Sequence, residues 1–159
     1  MTIQDWFDKY GESHQNPTNK AVHWICVPLI FFSIVGILSL IPFGFVSDRF
    51  PLGWEPYIHA GTLLVFVGIL FFLRLSLSIT LGMAVVSALI LWLVNAAHIA
   101  FEGNVWIFFT AVFVLSWVGQ FIGHKIEGAK PSFFDDLKFL MIGPAWLLHF
   151  IYRKTGIPY

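Results

Sequence analysis

Long apolar runs separated by short polar or turn-forming segments set the plan of this chain. They cover roughly residues 21–41, 57–73, 77–97 and 104–122. Each approaches the ~20 residues that an α-helix needs to cross a hydrocarbon core. The runs are apolar on all sides, the pattern of a helix buried or immersed in lipid. Asn16-Pro17 marks the start of the helix that enters the first run, since Asn is a good N-cap and Pro suits the first helical position. Pro28 lies inside it and predicts a kink. Residues 42–56, rich in Pro and Gly, read as a loop. Only a short connection at Arg74 separates the second and third runs, which predicts an antiparallel helical hairpin. Arg74 itself reads as reaching back to the membrane interface. The fourth run is entered at Asn104.

The flanks differ in pattern. Over residues 2–13, Ile3, Trp6, Phe7 and Tyr10 recur at helical spacing opposite Asp5, Asp8, Lys9 and Glu12. Thr2 and Asp5 make a capping pair for this amphipathic helix. Residues 123–138 are polar. Ser132 and Asp135 predict a further helix start at Phe133, and Gly143-Pro144 breaks the apolar stretch 139–152. Residues 133–152 are therefore expected to be interfacial or re-entrant. The expected fold is all-α: one polytopic transmembrane domain over 1–159, with about four spans and interfacial helices at both ends.

Composition agrees. Hydrophobic residues make up 58% of the 159-residue chain and charged residues 11%, against roughly 25% charged in a soluble domain. Net charge is zero, and no basic stripe points to nucleic acid. The one cysteine, Cys26, excludes an internal disulfide and reads as a small buried hydrophobe. No cleavable signal peptide is apparent, so the first span is expected to remain as an anchor. With four spans, Lys9, Lys20, Arg74, Lys125, Lys130, Lys138, Arg153 and Lys154 share one side and Arg49 takes the other. This bias predicts that both termini are cytoplasmic.

The candidate chemistry lies in the histidines. His14, His23, His124 and, by the same topology, His149 fall near the cytoplasmic face, whereas His59 and His98 fall near the opposite face and read as structural. The Asn16-Pro17 restart lets both His14 and His23 turn inward. Asn19, one turn before His23, is placed to orient its ring. His124 and Glu127, three residues apart, share a helical face and can bind one metal together. Glu127 has the alternative of pairing with Lys125 or Lys130, and His149 of lining the interface. Histidines with a carboxylate and open positions suit an Fe(II) ion that also binds oxygen. No nucleophile elbow, Walker loop or dinucleotide fingerprint is present. The histidine boxes of membrane di-iron hydroxylases are absent too.

Two stretches, YGESHQNPTNKAVHWICVPLI (10–30) and WVGQFIGHKIEGAKPSFFDDLKFLMIGPAW (117–146), carry the patterns Y-x3-H-x4-N-x3-H-x4-P and Q-x2-GH-x2-E-x3-P. Together they resemble the membrane-bound 2-hydroxy fatty acid dioxygenase family, over nearly the whole chain. The resemblance implies an Fe(II) enzyme that uses O2 to convert a 2-hydroxy fatty acid to the acid one carbon shorter. It implies His14, His23 and His124 as metal ligands, with Glu127 a catalytic candidate and Asn19 and Gln120 at supporting positions. His149 is a further candidate ligand outside the matched pattern. The chain looks like a bacterial member, which implies the inner membrane, or the endoplasmic reticulum membrane in a eukaryote. Expected partners are the 2-hydroxy acid, O2 and membrane lipid, and the chain is compatible with a homo-oligomer. The rival readings are a non-enzymatic scaffold or lipid-binding protein and a transporter. The spans carry no acids through their middles, as a proton relay needs.

Overall fold

The computed structural model describes residues 1–47, 49–128 and 139–159. All regular elements among them are helical: α1 (Ile3–Gly11), α2 (Pro17–Ser39), the short α3 (Gly44–Ser47), a 3₁₀ turn (Glu55–Tyr57), α4 (Ala60–Leu73), α5 (Leu77–Ala100), α6 (Val105–Glu127) and α7 (Ile142–Thr155). The sequence signals for the starts are met. Thr2 and Asp5 form the reciprocal capping box of α1. The Asn16 side chain accepts from the backbone N–H groups of Thr18 and Asn19, with Pro17 in the first turn. Pro28 stays within a continuous helix.

Three helices, α2, α5 and α6, are long and apolar enough to cross a membrane. The expected second span is shorter than its apolar run. His59 is extended and caps α4 through Thr62, so the helix begins at Ala60 and not near 57. Its 14 residues rise about 21 Å, short of a ~30 Å hydrocarbon core. In contrast, α6 runs on past the expected end of the fourth span near 122 into the polar segment. It ends at Gly128, whose φ of 76° supplies the left-handed cap. The extra turn puts Gln120, His124 and Glu127 on one continuous helix. Gly143-Pro144, expected as a break, lies in the first turn of α7, where a proline costs no helical hydrogen bond. The predicted Ser132/Asp135 cap lies outside the described residues.

The helices α2 and α6 form the central pair and run antiparallel. Gly123 faces Asn19 and Val22, Gly119 faces Cys26, and Gly36 faces Phe109. A Cβ at Gly119 would lie 2.7 Å from Cys26 Sγ, so small residues set the close approach, as is common between membrane helices. Inward residues of α5 recur at helical spacing: Ile79, Met83, Ser87, Ile90, Val94 and Ala97. Leu81, Val85, Leu89 and Trp92 on its other side are exposed. Apolar residues thus face outward as well as inward, which a helix in lipid tolerates and one in water does not.

Two apolar cores divide the bundle. One packs α1 and α7 against the ends of α4 and α5, with Phe7, Phe72, Met83 and Trp146 at its centre. The other lies toward the opposite end, around Phe31, Val35, Val94 and Phe109. The histidine cluster sits beside the first.

Candidate metal centre

His14 follows α1, His23 lies in the second turn of α2, and His124 lies in the last turn of α6. The antiparallel pairing of α2 and α6 puts the start of one beside the end of the other. The cap at Asn16 turns the chain so that α1 returns over both. The three rings meet with centroids 4.1 Å apart for His14 and His23, 5.1 Å for His23 and His124, and 5.4 Å for His14 and His124. One nitrogen from each lies within 4.8 Å of the other two. All three side chains are buried.

Backbone carbonyls fix which nitrogens converge. His14 Nδ1 lies 2.6 Å from the Tyr10 carbonyl oxygen, and His23 Nδ1 lies 2.9 Å from the Asn19 carbonyl oxygen. A carbonyl only accepts, so each Nδ1 carries the proton and donates it. Each Nε2 then keeps its lone pair, the tautomer that binds a metal. His23 Nε2 is buried and has no hydrogen-bond partner among the described residues. An unsatisfied buried acceptor of this kind is costly. A divalent transition metal at the meeting point of the rings would satisfy it, and neutral imidazoles suit such an ion. The donor set therefore fits a metal.

Glu127 stands outside this group. Its carboxylate accepts from the backbone N–H groups of Gln15 (2.8 Å) and Asn16 (2.8 and 3.0 Å) and from Asn19 Nδ2 (3.0 Å). Instead of joining His124 as a ligand, it ties the end of α6 to the turn between α1 and α2, and so sets His124 against the other two histidines. Asn19 also differs from expectation. Its main-chain carbonyl, not its side chain, orients His23, and its amide nitrogen is spent on Glu127 and the Ser13 carbonyl. Gly123 leaves the room this side chain needs, because a Cβ there would run into Asn19 Oδ1.

His149 is also outside the cluster. Its ring stacks on Phe7 at 4.9 Å, and its Nδ1 donates to the Trp146 carbonyl. Burial pushes the His149 imidazole below the usual histidine range. Gln120, one turn before His124, is buried as well.

Two neighbours carried no prior assignment. Tyr10 stacks on His14 with centroids 4.3 Å apart, and Trp146 stands 5.3 Å from the same ring. Tyr10 had a signal, the aromatic four residues before His14. Trp146 had none, since its position depends on how α7 docks.

A larger cavity, about 560 Å³, lies at the opposite end, lined by residues such as Phe43, Trp54, Phe66 and Trp92, with His59 on its wall. Its walls are nearly all apolar and bring no set of ligating groups together, so the histidine cluster is the better candidate for chemistry.

Comparison with known proteins adds one finding. The family model described as "2-hydroxy-palmitic acid dioxygenase Mpo1-like" matches residues 1–155. No curated protein and no solved structure matches the chain.

Proposed function

The chain belongs to the Mpo1-like family, and from that premise we propose that it is an Fe(II)-dependent dioxygenase of 2-hydroxy fatty acids. The overall change converts the acid and O2 to the acid one carbon shorter, CO2 and water, which balances in atoms. The observation that carries the proposal is the meeting of His14, His23 and His124, one nitrogen each within 4.8 Å, in a buried site.

These three residues would hold the metal through neutral nitrogens. Bound there, ferrous iron supplies a Lewis acid for an α-hydroxy carboxylate and the redox chemistry that O2 requires. The protein's own contribution is placement and exclusion of water. The Tyr10 and Asn19 carbonyls hold the rings of His14 and His23 in one tautomer. Tyr10 and Trp146 wall the His14 ring with apolar surface. Glu127 and Asn19 lock the turn that carries the first two histidines to the helix that carries the third.

The site lies at the end of the bundle that carries Lys20, Lys125 and Arg153, the end that the charge rule would assign to the cytoplasm. We assign the protein to the bacterial inner membrane with its site at the cytoplasmic leaflet. A fatty acid there keeps its carboxylate at headgroup depth and its tail among the helices. The test is metal analysis of detergent-purified protein, followed by oxygen uptake with 2-hydroxypalmitate. About one iron per chain and uptake that depends on the 2-hydroxy acid are expected. Protein that binds no transition metal overturns the proposal.

A further inference from the structure

We propose that Gln120 recognises the 2-hydroxyl group of the substrate. This rests on the proposed function above and extends it to specificity. Gln120 precedes His124 by four residues, so it lies on the same face of α6, one turn deeper in the bundle. Its side chain is 3% exposed, and its Oε1 has no hydrogen-bond partner among the described residues. A buried amide oxygen without a donor is destabilising, so this position calls for a ligand that brings one.

The space beside it defines that ligand. Gln120 lines a cavity of about 20 Å³ with Tyr10, Val27, Ile30, Trp117 and Gly143. That volume admits one water-sized group. A carboxylate is too large for it and brings only acceptors to an acceptor. No charged residue lines the cavity, so nothing there would hold an ion. A hydroxyl has the right size and one proton to donate. Tyr10, which lines this cavity, also stacks on His14, so one side chain borders both the hollow and the histidine group.

His14 itself lines a separate hollow of about 270 Å³ with Lys20, Arg153, Asp8 and Glu12. A 2-hydroxy acid at the cage therefore has a direction: carboxylate toward this separate hollow, hydroxyl toward Gln120. A single water would fit the small cavity before substrate arrives. The hydroxyl replaces that water and its hydrogen bond, which an unsubstituted fatty acid cannot do.

The experiment is anaerobic calorimetric titration of the metal-loaded full chain in detergent. The ligands are palmitate and the separate enantiomers of 2-hydroxypalmitate. Wild type is expected to prefer one enantiomer over palmitate by about tenfold to a hundredfold, the range for one buried hydrogen bond. A single fixed acceptor also requires the two enantiomers to differ; equal binding of both overturns the assignment without any variant. In Gln120→Met, of similar length but without the amide oxygen, the preference for the hydroxy acid over palmitate should shrink by about tenfold or more, with palmitate affinity and metal content unchanged. Gln120→Glu, which keeps an acceptor, should retain the preference. A wild-type ratio in Gln120→Met overturns the assignment and leaves a bound water as the cavity's occupant, as does equal weakening of both acids. In those cases continued oxygen uptake with 2-hydroxypalmitate leaves the proposed function standing. If wild type neither binds nor oxidises either acid, both readings fall.

Discussion

Each end of the bundle holds buried or half-buried histidines, and they are used in opposite ways. At one end, backbone carbonyls take the Nδ1 protons of His14 and His23, so lone pairs on Nε2 face the middle. At the other end, the His59 Nδ1 lone pair accepts from the Thr62 backbone N–H and caps α4. There, Ser39 Oγ donates its proton to the Gly36 carbonyl (2.6 Å) and so accepts from His98 Nε2 (2.7 Å). One arrangement frees ligand atoms, and the other uses ring nitrogens to cap one helix and to join two others. Neither burial nor a carbonyl partner separates the two sets, since His149 Nδ1 also donates to a carbonyl, that of Trp146; what sets His14, His23 and His124 apart is the convergence of one nitrogen from each.

The contrast is broken most severely by His23→Ala. It removes a central nitrogen, and bound iron should fall from about one per chain to near none with loss of oxygen uptake. Retention of stoichiometric iron, measured by plasma emission spectrometry, would remove the basis of the site. Next in size is Glu127→Ala, which frees the turn that carries His14. Loss of such a supporting contact typically weakens metal affinity about tenfold to a hundredfold, measurable by chelator competition. Glu127→Gln keeps one acceptor oxygen and should lose less; equal loss in both variants would point to charge as the cause.

Gly123→Ala presses a methyl group onto Asn19, so overpacking should cost about 1–3 kcal/mol, read as a lower thermal midpoint. An unchanged midpoint would mean that α2 and α6 separate freely at this level. The smallest effect is expected at the far end. His59→Ala removes a helix cap worth about 1 kcal/mol and should leave iron content and oxygen uptake unchanged. Iron loss in this variant would erase the distinction between the two ends.

The helices were legible because their signals are local. Thr2 with Asp5 and Asn16 with Pro17 announce helix starts through bonds formed within a few residues. Apolar length revealed α2, α5 and α6, but the His59 cap that shortens α4 depends on the fold of the preceding loop. The three histidines could be proposed together because the restart at Asn16 permits two to turn inward and the topology puts His124 at the same face; the resemblance then pointed to the same three. The role of Glu127 was not legible. Its spacing from His124 suits a shared metal, whereas its actual partners are main-chain N–H groups brought over by packing. The same limit applied to His149, whose stack on Phe7 joins α1 to α7.

The clamp between Glu127 and the Asn16 turn also bears on biogenesis. His14 is synthesised early and its counterpart on α6 late, so the three histidines cannot meet until α2 and α6 have paired. Under the proposed function, metal capture would then be a final event. A chain stalled before α6 docks would have two of the three converging imidazoles at most.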